Sequence, residues 1–93
     1  MVAGAQTAPP RLLVFGDSLS AAYGIEVQDG WVALLQQRLR AQGEPHTVVN
    51  ASVSGETTAG GRARLPALLA QQRYAVVVLE LGGNDGLRGL SLR

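Results

Sequence analysis

Cysteine is absent from this chain of 93 residues, which excludes disulfides, thiol nucleophiles and thiolate metal sites and leaves the redox compartment open. Charge of one sign is lacking too: seven acids stand against eight bases, for a formal net charge of +1. The densest basic pair, Arg62 and Arg64, has no aromatic residues interleaved with it. Nucleic-acid binding therefore finds little support, and the pair reads as a solvated helix face. No apolar run reaches the length of a membrane span. The first ten residues, Met1 to Pro10, are small and polar and read as a flexible tail. Within them Ala3-Gly4-Ala5 resembles a signal-peptidase site, but no basic and apolar segment precedes it. What the chain does have is a composition 46% hydrophobic and 16% charged, suited to a packed core. At this size the stability margin is thin.

Arg11-Leu12-Leu13-Val14-Phe15 is continuously apolar after its first residue and ends at Gly16, the pattern of a parallel strand covered on both faces. After a polar loop, Asp29 stands where a helix N-cap belongs. Trp31, Leu34, Leu35 and Leu39 follow at spacings of three and four, making one apolar stripe with Trp31 in the core. Gly43 ends this helix and Pro45 prevents its resumption. A second strand is expected over His46–Asn50, then a turn-rich loop, Ala51 to Thr58. A second helix is expected over Arg62–Gln72, starting near Leu65 because Pro66 is tolerated only in a first turn or at a kink. The third strand, Tyr74–Leu81, leads into Gly82-Gly83-Asn84-Asp85. Strand, helix, strand, helix, strand implies two right-handed crossovers and a parallel sheet with helices on its faces. Only Gly86 to Arg93 remain, and three strands leave an apolar edge uncovered. Residues 11–93 thus read as the amino-terminal half of a larger α/β domain.

In an open parallel sheet, ligands bind outside the carboxyl ends of the strands. The three loops there offer Asp17, Ser18 and Ser20; then Ser52, Ser54, Gly55 and Glu56; then Gly82, Gly83, Asn84 and Asp85. Small residues let backbone amides approach a ligand, and a hydroxyl so placed suits an activated nucleophile. Acyl transfer also needs donors aimed at a developing oxyanion, and the amides of Ser18 and Gly55 with the Asn84 side chain are the candidates. Ser20 and Ser54 are rival nucleophiles, better suited to local backbone hydrogen bonding. Asp17 is expected to order its loop by accepting backbone amides, and Asp85 to support the third loop. Glu80, a carboxylate inside an apolar strand, needs a partner and reads as a hydrogen-bonding support rather than a catalytic group. Tyr23 is read either as a lining of the acyl site or as ordinary packing.

Gly16-Asp17-Ser18-Leu19-Ser20-Ala21, Val49-Asn50-Ala51-Ser52-Val53-Ser54-Gly55-Glu56-Thr57 and Leu79-Glu80-Leu81-Gly82-Gly83-Asn84-Asp85-Gly86-Leu87-Arg88-Gly89 resemble the first three blocks of the SGNH (GDSL) hydrolases, and within them the bacterial thioesterase, arylesterase and lysophospholipase branch. The resemblance runs from about Arg11 to Arg93. It implies a three-layer α/β/α, flavodoxin-like fold, of which this chain holds three strands and two helices. It implies a serine ester or thioester hydrolase without cofactor or metal, in which Ser18 attacks the acyl carbonyl while the Ser18 amide, the Gly55 amide and Asn84 hold the oxyanion. The implied partners are small acyl esters, thioesters or lysophospholipids, and the implied location is periplasmic or secreted. No G-x-S-x-G elbow of the α/β-hydrolases occurs.

The family's fourth block, Asp-x-x-His, which supplies the general base and its orienting residue, does not occur in the chain. In a relative of full length it is expected roughly eighty residues further on. The single histidine, His46, opens the second strand at the end of the sheet opposite Ser18, about 15 Å away along a five-residue strand, and reads as structural. The competing expectation is a non-catalytic half-domain, inactive alone or awaiting a complementing carboxyl-terminal half. A phosphate or nucleotide binder built on the Ser54 to Gly61 loop is disfavoured, since that loop has neither a lysine nor a P-loop glycine pattern.

Overall fold

The computed structural model describes residues 9–87 and 89. Most of the tail expected at 1–10, the Ala3-Gly4-Ala5 motif and the last four residues lie outside them. Three strands, β1 (Arg11–Gly16), β2 (Thr47–Asn50) and β3 (Val76–Glu80), form one parallel sheet in the order β2-β1-β3. The register runs from Arg11 opposite Thr47 to Val14 opposite Asn50 on one side. On the other it runs from Leu12 opposite Val76 to Gly16 opposite Glu80. The helices are α1 (Ser18–Ala21), α2 (Trp31–Ala41), α3 (Thr58–Gln71) and α4 (Gly83–Leu87).

The apolar run of β1 is buried from Leu12 to Gly16 because both faces of this central strand are covered. Successive side chains alternate between the faces. Leu12 and Val14 pack with Val32, Leu35 and Leu39 of α2 and with Val48 and Val78. Phe15 faces the opposite layer, beneath Gly61 and Arg64 of α3. Leu13, Val14 and Phe15 are completely buried, worth about 1.5–3 kcal/mol each. The edge strand β3 is barer: Val76, Val77 and Leu79 are exposed, as expected of a sheet with an uncovered side. No helix of the described residues is long and apolar enough to cross a membrane.

Several local expectations are corrected. Asp29 does not cap α2: it closes a short 3-10 turn, Val27–Asp29, and the capping position passes to Gly30, which has no side chain to accept a bond. The buried stripe of α2 runs through Val32, Leu35 and Leu39, while Leu34 is half exposed. Trp31 is not core. It is 38% exposed, because its indole N–H reaches sideways to the Ser20 hydroxyl at 3.2 Å. Helix α3 begins at Thr58, well before Leu65, and carries Pro66 in its interior. Two caps at its start account for this. The Thr57 side chain accepts from the Gly60 amide at 3.1 Å, and Asp85 accepts from the Thr58 amide at 2.9 Å. With its first turn secured, α3 tolerates the bond that proline removes. The polar loops after β1 and β3 also contain the short helices α1 and α4.

Candidate active site

Ser18 is the first residue of α1, immediately beyond the carboxyl end of β1. Asp17 is buried and N-caps this turn, its Oδ1 accepting the Leu19 amide at 3.0 Å. That is the amide-ordering role expected of it. Ser18 is half-buried between the buried Asp17 and the exposed Leu19.

The neighbouring loops are tied to this turn by a lattice of hydrogen bonds. The Gly16 amide donates to Ser52 Oγ at 3.0 Å, and the Val53 amide donates to the Gly16 carbonyl at 3.0 Å. Asn50 Nδ2 donates to the Ser20 carbonyl at 2.7 Å. These bonds fasten the loop after β2 to both sides of Ser18. Gly55 lies in that loop with φ at +84°, a left-handed conformation that a side chain would strain.

The third loop joins the second through Asn84, whose Nδ2 donates to the Glu56 carbonyl at 2.9 Å. One amide hydrogen is used in this way and the other remains for a further acceptor. Asp85 is buried and binds the start of α3, accepting from the Thr58 amide at 2.9 Å and the Thr58 hydroxyl at 2.7 Å. Asn84 is thereby held on a helical turn that is itself anchored. The three sequence-selected loops therefore meet in one region, with Asn84 bonded to the residue after Gly55.

Three roles differ from expectation. Ser20 does not bond its own backbone: its hydroxyl donates to Glu80 Oε1 at 2.8 Å and accepts from Trp31. Arg64 is no free solvated cation, since its Nε donates to Glu56 at 2.6 Å, its Nη2 to the Ala51 carbonyl at 3.2 Å, and its guanidinium lies 4.5 Å from the Phe15 ring centre. This clamp on the Gly55–Glu56 loop had no sequence signal beyond the i, i+8 pairing of opposite charges. Tyr23 is 78% exposed, which departs from ordinary packing, one of its two readings.

Glu80 finds the partners its place in β3 demands, in Ser20 and in the Asp17 amide at 3.3 Å. Burial raises its carboxyl above the ordinary glutamate range, as does its side-chain contact with the Asp17 carboxyl. His46 immediately precedes β2 and so lies beside Arg11, at the end of the sheet opposite Ser18. Among the described residues, no group of three or more His, Asp or Glu side chains is placed to hold a metal ion.

A Gly-Asp-Ser turn on the first strand of a parallel α/β sheet, with Gly and Asn on the next two loops, defines an SGNH-type hydrolase domain. Residues 14–93 match the GDSL-like lipase/acylhydrolase family, and the chain belongs to it. Over 86 residues it is 63% identical to esterase TesA of Pseudomonas aeruginosa, covering 92% of this chain and 43% of the esterase. It is 49% identical to an arylesterase of Vibrio mimicus, covering 95% of this chain and 44% of that one. It is 51% identical to thioesterase 1/protease 1/lysophospholipase L1 of Escherichia coli K12, with coverages of 88% and 38%. The crystal structure of TesA superimposes with a TM-score of 0.85 at 64% identity, over 87% of this chain and 45% of that one. The chain thus spans less than half the length of these relatives.

Proposed function

We propose that this chain carries the nucleophile and the oxyanion-binding groups of a serine ester hydrolase. Ser18 Oγ attacks the acyl carbonyl carbon, its proton passes to a base, and the carbonyl oxygen becomes an oxyanion. The Ser18 amide, the Gly55 amide and Asn84 Nδ2 receive that charge. Collapse of the tetrahedral intermediate expels the alcohol or thiol and leaves an acyl-serine, which water then hydrolyses. The relatives' names point to carboxylic esters, thioesters and lysophospholipids as the substrate class.

The observation that carries this reading is the bond from Asn84 to the Glu56 carbonyl, which draws the third loop onto the loop of Gly55, beside the Asp17-capped turn of Ser18. The sequence contains no Asp-x-x-His, and His46 stands at the wrong end of the sheet. The base therefore comes from outside these 93 residues, and the chain alone is expected to be inactive.

The test is hydrolysis of a p-nitrophenyl ester by two proteins. One is the 93-residue chain; the other joins its residues 11–93 to the remainder of the Pseudomonas aeruginosa esterase. Turnover is expected only in the joined protein. There, Ser18→Ala should lower kcat at least about a thousandfold, and Asn84→Ala about a hundredfold. Unchanged turnover in Ser18→Ala would remove Ser18 from the mechanism.

A further inference from the structure

Beneath the nucleophile turn lies a polar chain that the acyl-transfer chemistry does not use. Glu80, the last residue of β3, points its carboxylate across the carboxyl end of β1. Its Oε1 accepts the Asp17 amide at 3.3 Å and the Ser20 hydroxyl at 2.8 Å. These two donors flank Ser18, one residue before it and two after. The Ser20 hydroxyl in turn accepts the Trp31 indole N–H at 3.2 Å, linking the chain to α2. Gly16 makes room for the carboxylate: a Cβ there would stand 2.7 Å from Glu80 Oε1 and 2.8 Å from both the Glu80 carbonyl and Ser20 Oγ. The site is thus built around this carboxylate, and any side chain at residue 16 would displace it.

Resting on the assignment of Ser18 as nucleophile, we infer that Glu80 is a positioning residue, which grips the nucleophile turn on both sides of Ser18 and fixes where its hydroxyl and amide point. One oxygen that takes both donors holds the nucleophile turn at two points, at the N-cap residue Asp17 and at Ser20 within α1. A four-residue helix is too short to hold its own geometry, since helix nucleation is unfavourable and one turn adds almost no propagation. Small errors in the nucleophile's position are costly in rate.

The titratable neighbours follow from the packing. The turn contributes the Asp17 carboxylate, β1 contributes Gly16, α1 contributes Ser20 and α2 contributes Trp31, so one other acid faces Glu80. Burial and that acid both favour the protonated carboxyl, and in either protonation state an oxygen of Glu80 remains to accept the two donors. Glutamine presents the same acceptor; alanine presents none.

Trp31 is the single tryptophan and stands at the end of this chain, so it reports on Glu80. The experiment follows the Trp31 indole and Asp17 amide proton resonances of the full 93-residue chain against pH. Both should shift through one common midpoint above the ordinary glutamate range, and Glu80→Gln should abolish that transition while keeping the resonances dispersed. Ser20→Ala, which cuts the link without touching a charge, should leave the Asp17 amide titrating and silence the Trp31 indole. In the ester assay of the joined protein, Glu80→Ala should lower kcat at least tenfold with KM little changed, and Glu80→Gln should restore most of it. A transition that persists in Glu80→Gln, or full kcat in Glu80→Ala, would overturn the inference. If Ser18→Ala kept its turnover, the nucleophile assignment would fail while the resonance results still judged the grip itself.

Discussion

Asp85 is a buried side chain whose removal should be costly. Its buried carboxylate accepts the Thr58 amide at 2.9 Å and the Thr58 hydroxyl at 2.7 Å, at the start of the fourteen-residue helix α3. Hydrogen bonds to a charged group contribute about 1.5–3 kcal/mol each, and two that share one acceptor group add incompletely. Asp85→Ala should therefore cost about 3 kcal/mol. A domain of this size loses about 4–8 °C of Tm per kcal/mol, so the drop is about 12–24 °C. Asp85→Asn keeps the shape and one oxygen acceptor, and should lose about half as much. Urea unfolding followed by far-UV circular dichroism measures both, and an unchanged m-value would show that the folded and unfolded states keep their compactness. A loss below about 1 kcal/mol for alanine would refute the claim that Asp85 anchors α3.

Four shorter predictions follow from the same contacts. Gly16→Ala should destabilise by about 1–3 kcal/mol through overpacking against Glu80 and Ser20, as read from the unfolding midpoint. Leu13→Ala empties a completely buried position and should cost about 2–5 kcal/mol in the same assay. Arg64→Lys keeps the charge but loses the fork that spans Glu56 and the Ala51 carbonyl. It should loosen the Gly55 loop and reduce ester turnover of the joined protein about threefold to tenfold, or up to about 1.4 kcal/mol of transition-state stabilisation. The raised Glu80 carboxyl gives a stability term with a definite sign. The folded state binds this proton more tightly than the unfolded one, so the term is fully present below the ordinary glutamate range and is lost as pH rises through the folded-state value. Relative to Glu80→Gln, the parent should therefore lose Tm across that window, as thermal melts over about pH 4–8 would show.

The parallel strands and the three loop clusters were legible because apolar runs and Gly-rich strand ends are local signals. Leu12 to Phe15 read as a buried strand and became the central one. The helix starts were not legible, because their caps are distant or displaced. Asp85 satisfies Thr58 from 27 residues away, and the 3-10 turn at Val27–Asp29 moved the cap of α2 from Asp29 to Gly30. Trp31 misled for a related reason. A stripe at helical spacing shows which residues share a face, but an indole N–H with a partner beside the helix turns the ring outward. Glu80 was legible as a carboxylate in need of partners, whereas its grip on both sides of Ser18 depends on β3 lying next to β1, which no local pattern encodes. Arg64 was read as solvated, since its clamp spans residues 51 to 64 and crosses from one element to the next.

In the proposed mechanism Ser18 forms the acyl-enzyme bond, and covalent labelling followed by peptide mass spectrometry tests that bond. The joined protein is treated with an organophosphonate ester, which transfers its phosphorus centre to an activated serine hydroxyl and releases its leaving group. The adduct is expected on the peptide containing Gly16-Asp17-Ser18-Leu19, at Ser18, and should vanish in Ser18→Ala. An adduct on Ser20, Ser52 or Ser54 instead, or one that persists undiminished in Ser18→Ala, would contradict it.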